Sequence, residues 1–161
     1  MPAFYLFLLW FIILFFQIVV APRIAIFGVY PDAVLAATIL MGLKREWRLG
    51  LWFGFALGIA VDLINPQNFG WMTLTVALTG CFAGVIKEKI FLDTIYYQTA
   101  TVAAFSFVYQ LIIRLVLWPS YFFGNFWISL ADSFFIAIYT SIIAIVTLVL
   151  LKQRYRLKEL L

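Results

Sequence analysis

Pro31 to Phe91 reads PDAVLAATILMGLKREWRLGLWFGFALGIAVDLINPQNFGWMTLTVALTGCFAGVIKEKIF, and the spacing of its small residues decides the fold. Gly50, Gly54, Gly58 and Asp62 recur every four residues along one apolar segment. Residues four apart lie on nearly the same helix face, so the three glycines form a flat strip that ends at a carboxylate. The next apolar segment carries Thr73, Ala77, Gly80 and Gly84, a second face of small residues. In lipid, hydrophobicity does not drive helices together, and small faces let two backbones approach closely. Packing alone accounts for the glycines. Asp62 is different, because a carboxylate within a membrane segment is costly and needs a reason.

The composition around this stretch points the same way. Of 161 residues, 66% are hydrophobic and 11% charged, where a soluble domain carries roughly 45–50% apolar and about 25% charged residues. An all-α, polytopic integral membrane protein is expected, a single domain consumed almost wholly by its spans. Histidine is absent, which removes the commonest general base and metal ligand. The one cysteine, Cys81, rules out an intrachain disulfide and a multi-thiolate metal site.

Six apolar segments fit the chain, over about residues 3–20, 24–43, 49–64, 69–86, 98–118 and 126–151. The first lacks the basic start and small-residue cleavage site of a signal peptide. The second contains Pro31 and Asp32. Proline suits the first turn of a helix, and an acidic residue there favours the helix dipole. A helix from Pro31 to Leu43 would span only ~20 Å, short of the ~30 Å hydrocarbon core. Residues 24–30 are therefore either helix kinked at Pro31 or irregular chain shielded by protein. Asn65-Pro66-Gln67-Asn68 is a strong turn signal. Phe91 to Tyr97 reads as a short amphipathic connection, and Pro119 to Asn125, PSYFFGN, as an uncharged aromatic loop.

Six crossings put both termini on one side. Lys44, Arg45, Arg48, Lys87, Lys89, Lys152, Arg154, Arg156 and Lys158 lie on that side, against Arg23 alone on the other. Lysine and arginine near span ends favour the cytoplasm, so the expected topology is N-in/C-in. The net charge of +4 follows from this placement and is no sign of nucleic-acid binding. The basic tail, Lys152 to Lys158, serves as a topology signal or also grips anionic membrane lipids.

Topology then sets depth. Asp32, Asp62, Arg114 and Asp132 all fall in the outer half of their segments. Arginine is always charged and forks readily onto a carboxylate. Asp132 is its first expected partner, because the fifth and sixth segments are neighbours, with Asp62 or Asp32 second. Such a cluster either pins a helix bundle or lines an outward-opening polar pocket. No nucleophile motif, phosphate loop or zinc spacing accompanies it, so no enzyme, cofactor or metal is expected.

These same residues carry a family resemblance. Pro31-Asp32 opens an apolar run, and the basic loop KREWR follows it. Next come the Gly54, Gly58, Asp62 face, the polar turn, FGWMTLTVALTG with Gly70, Leu74 and Gly80, and a basic KEK end. In this order and spacing they resemble MreD, the small multi-spanning membrane proteins of the bacterial rod-shape system. The chain matches that family in length and span count, and the specific motifs lie within Pro31 to Phe91. It departs from the family in its aromatic load, with Trp52, Phe53, Phe55 and Trp71 where aliphatic residues are usual.

The resemblance implies a non-enzymatic subunit of the cell-elongation complex in the bacterial cytoplasmic membrane. Such a subunit would bind the single-span protein MreC. It would act with the RodA glycosyltransferase, its class B transpeptidase and the MreB filament in side-wall peptidoglycan synthesis. The MreD fold is similar to the substrate-binding S-components of energy-coupling-factor vitamin transporters, six-helix proteins with an outward-facing pocket. A small-molecule-binding transport subunit is therefore the alternative, and fold alone does not choose between them.

Overall fold

A computed structural model describes residues 3–26, 28–64, 69–89 and 94–159. Among these residues every regular element is helical: α1 (Ala3–Phe15), α2 (Ala33–Lys44), α3 (Trp47–Ile64), α4 (Trp71–Lys89), α5 (Ile95–Leu117), α6 (Pro119–Gly124) and α7 (Phe126–Glu159). Four helical stretches are long and apolar enough to cross a membrane: Phe7–Ile24, Trp47–Ile64, Ile95–Leu117 and Phe126–Val149. Two further apolar helices, Ala33–Lys44 and Trp71–Lys87, are shorter.

The second expected span is not one continuous helix. α1 passes into a π-helical turn at Phe16–Val20 and a tight 3₁₀ turn at Ala21–Ile24 around Pro22. Ile26 and Val29 then pair in a small antiparallel bridge, each N–H donating to the other's carbonyl at 2.9 and 3.0 Å. Gly28 turns this hairpin at φ +79°, a left-handed conformation that glycine adopts without steric cost. α2 begins only at Ala33, with Asp32 as its N-cap and not within its first turn. Its 12 residues give a length of about 18 Å.

A helix that starts inside a protein needs partners for its first N–H groups. α2 finds them in side chains. Ala33 N–H donates to Gln17 Oε1 at 2.7 Å, from the π turn, and Leu35 N–H donates to Asp32 Oδ1 at 2.9 Å. Asp32's own N–H donates to Thr140 Oγ1 of α7 at 3.1 Å. Three segments far apart in sequence thus fix where α2 begins. The irregular chain before it, exposed at Ala25, Ile26, Gly28 and Tyr30, lies at the rim of the molecule instead of being shielded within it.

α2 is the central helix. Val34, Leu35, Ala36, Thr38, Ile39, Leu40, Gly42 and Leu43 are all buried. It packs with α3 and α4 through the glycine faces. Three glycines from three helices meet at one point: a Cβ on Gly42 or Gly50 would collide with the Gly80 carbonyl. Further along, a Cβ on Gly58 would strike the Thr73 backbone, and one on Gly84 the Trp47 backbone. The strip Gly50, Gly54, Gly58 therefore lies directly against α4, and the side chain it lacks is the reason the helices can touch. Gly42, not singled out in the sequence, completes this contact from α2.

α5 and α7 form the second half. α5 buries Val102, Ser106, Tyr109 and Ile113, at helical spacing. α7 buries Ser129, Ser133, Ala137, Thr140, Ala144 and Leu148, a small-residue seam that the sequence reading did not pick out. The aromatic loop expected at Pro119 to Asn125 is instead the short helix α6. Proline at its first position is compatible with helix, and Phe122 is buried beneath it, edge-on to Phe126 with ring centroids 5.6 Å apart. The turn expected at Asn65–Asn68 and residues 90–93 of the expected amphipathic connection lie outside the described residues.

Candidate functional site

The N-terminus of α2, the last turns of α5 and the first turns of α7 converge below the Ile26–Val29 hairpin. They enclose a cavity of about 620 Å³. Its polar lining comes from Gln17, Asp32, Gln110, Arg114 and Asp132, and its aromatic lining from Tyr30, Tyr109, Trp118 and Tyr121. Gly28 and Val29 of the hairpin, Val34, Val61, Met72, Val76, Ile113 and Ile136 complete the wall. This volume is within the roughly 300–1,000 Å³ of small-molecule sites.

The structure brings Arg114 and Asp132 together. Nη1 of Arg114 donates to Oδ2 of Asp132 at 3.2 Å. Their side chains are 18% and 33% exposed, so the pair sits at the cavity wall with access to its mouth. α5 supplies the arginine one turn before its end, and its C-terminal dipole favours a cation there. Asp32 lines the same cavity but is engaged with α2. Among the described residues the Arg114–Asp132 pair is the only ion pair, so no basic group lies within 4.0 Å of Asp32. Tyr109, buried on α5, turns its hydroxyl to Met72 Sδ at 3.0 Å.

Asp62 does not join this group. It is 1% exposed and lies at the C-terminal end of α3. Its Oδ2 accepts from Gly70 N–H and Thr73 N–H, both at 2.9 Å, and from the Thr73 hydroxyl. Gly70, at φ +95°, makes the sharp entry to α4. The carboxylate at the end of the glycine strip is therefore the anchor of α4's N-terminus. It satisfies helix-start donors that have no intrahelical partner. The four-residue polar cluster expected at one depth thus divides: three members line the cavity, and the fourth holds a helix beside it. The spacing of Asp62, Gly70 and Thr73 across one turn was the available signal.

Lys44, Arg45, Arg48 and Lys87 gather at the other end of α2. Lys87 Nζ donates to Arg45 O at 3.0 Å, tying α4 to the α2–α3 turn, and the Arg48 guanidinium lies 5.3 Å from the Trp47 ring centroid. Lys44, Arg45 and Arg48 are exposed. The side chains of Lys89, Lys152, Arg154, Arg156 and Lys158 lie outside the described residues. Among the described residues no three His, Cys, Asp or Glu side chains come together as a metal site requires.

Comparison with protein-family models, with curated proteins and with solved structures found no match.

Proposed function

We propose that this chain is a non-enzymatic membrane subunit of the MreD type, which works by holding a partner's transmembrane helix. In this reading it belongs to the cell-elongation complex of the bacterial cytoplasmic membrane. It captures the single span of MreC and helps position RodA and its class B transpeptidase beside the MreB filament. The two shorter helices, α2 and α4, join the four long ones to make six crossings. Both termini face the cytoplasm, as the basic residues require.

One observation carries the proposal. The stretch with the family resemblance is also where α2, α3 and α4 pack backbone to backbone, at Gly42, Gly50 and Gly80. Backbone packing this close is a suitable base for a binding face, because it lowers the ordering needed when a partner docks. Its outer surface is aromatic and apolar, with Trp52 65% and Phe82 56% exposed. Large rigid rings of this kind are effective contact groups.

Affinity purification of the tagged full chain from a bacterial membrane, co-expressed with MreC, tests the reading. Retention of MreC is expected, and so is its loss when the MreC span is exchanged for an unrelated apolar helix. Retention after that exchange would refute intramembrane capture. The cavity favours the second reading, a vitamin-type transport subunit. That reading requires a stoichiometric small molecule that copurifies without MreC.

A further inference from the structure

We propose that the cavity between α2, α5 and α7 is a binding site for a ligand with an ammonium group, entered from the hairpin end. Charge comes first. The lining holds two carboxylates, Asp32 and Asp132, and one guanidinium, Arg114. Arg114 is already matched to Asp132. Among the described residues no cation lies within 4.0 Å of the Asp32 carboxylate, and the Asp132 oxygen not used by Arg114 has no hydrogen-bond donor. A low-dielectric cavity with an excess carboxylate attracts a cation.

The α2 dipole does not reverse this preference. An open helix N-terminus would invite an anion. Here the N–H groups of Ala33 and Leu35 are taken by Gln17 and Asp32, and that of Ala36 by the Asp32 carbonyl. The remaining first-turn N–H, that of Val34, faces the Asp32 carboxylate itself, which stands where an anionic ligand would have to bind.

The walls supply the second element. Tyr30, Tyr109, Trp118 and Tyr121 contribute to one cavity, and aromatic faces attract ammonium groups through their ring quadrupoles. Gln110 also lines it, and its amide makes no hydrogen bond among the described residues. It offers a carbonyl oxygen to an N–H of a primary ammonium. Tyr30, Trp118 and Tyr121 are exposed and form the entrance, with Tyr109 buried deeper. The ammonium can belong to a free solute or to the headgroup of an ethanolamine lipid, and the chemistry of recognition is the same.

The test uses the full chain in maltoside micelles. Saturation-transfer NMR from aromatic protons follows titrations with choline and ethanolamine, with sodium acetate and inorganic phosphate as anionic controls. Native mass spectrometry compares retention of phosphatidylethanolamine with that of phosphatidylglycerol. Asp32→Asn is the decisive variant, since asparagine is as good an N-cap as aspartate and α2 keeps its start. The expected result is saturable binding of at least one ammonium probe or selective retention of phosphatidylethanolamine. In the variant that binding should weaken about tenfold, the loss of one charged contact. Solute binding without lipid selectivity assigns a soluble ligand, and the reverse assigns a headgroup. The proposal is overturned if no ammonium probe or lipid binds, if the anions bind better, or if Asp32→Asn, folded by circular dichroism, binds unchanged. MreC is absent throughout, so the outcome is independent of helix capture.

Discussion

Gly54→Ala is the most direct probe of the packing on which the helical unit depends. A Cβ at this position would lie 2.7 Å from Thr38 Cγ2, 2.8 Å from the Val76 carbonyl oxygen and 3.0 Å from Ala77 Cα. Ordinary contact begins at 3.4 Å, so α2 and α4 must each yield by about 0.6 Å. Neither can do so cheaply. Thr38 is fully buried and its hydroxyl donates to Val34 O at 2.8 Å, while the other two atoms are α4 backbone. Overpacking of a dense core costs about 1–3 kcal/mol, and the upper half of that range is expected here. Thr38→Ser removes the methyl that Gly54→Ala would strike and keeps the hydroxyl. Alone it costs about 1 kcal/mol for the small void. Combined with Gly54→Ala it should relieve one of the two clashes, so the pair is less destabilising than the sum by about 1 kcal/mol. Gly80→Ala is the contrast, because its Cβ meets the Gly50 backbone oxygen as well as Thr38 Cγ2 at 2.6 Å. Thr38→Ser should rescue it less. Equilibrium unfolding in mixed dodecylsulfate and maltoside micelles, followed by circular dichroism, measures all five variants. If Gly54→Ala unfolds within about 0.5 kcal/mol of the parent, or the double variant is strictly additive, the interlocked-glycine account is wrong.

Arg114→Leu should destabilise the fold by about 1.5–3 kcal/mol, and Asp132→Leu in the same chain should recover part of it, read in the same micelle assay; no recovery would show that the pair is not coupled. Asp62→Ala removes the acceptor of three donors at the start of α4 and is expected to cost about 2 kcal/mol or more, whereas Asp62→Asn, which keeps an acceptor, costs less. Equal losses for the two would refute the capping role. In a Cys81→Ser background, a cysteine at exposed Ser120 should react with an impermeant maleimide from outside intact cells, and a cysteine at Lys158 only after permeabilisation. The opposite labelling pattern would invert the proposed topology.

Much of this arrangement was legible because a membrane helix writes its contacts in small residues at fixed intervals. Gly50, Gly54 and Gly58 lie against α4, and Arg114 faces Asp132 because α5 and α7, joined through the short helix α6, are neighbours. What was not legible depends on partners far away in the chain. Whether residues 24–30 continue a helix turns on who accepts from the first N–H groups of α2, and those acceptors are Gln17 and Asp32, with Thr140 behind them on α7. Gln17 is the only strongly polar side chain in an apolar run, which marks it as engaged but not with what. Nothing local distinguishes a glutamine that caps a helix 16 residues on from one that faces a neighbouring span. The same limit applies to the carboxylates. The expected topology put Asp32 and Asp62 at one depth, yet each went to the nearest helix start before any shared site, since helix-start N–H groups without an intrahelical partner bind the closest acceptor. Asp32 alone does both, capping α2 while its side chain borders the cavity. That double duty is why Asp32→Asn, which retains the cap and deletes the charge, can separate a merely structural carboxylate from one that also receives a ligand.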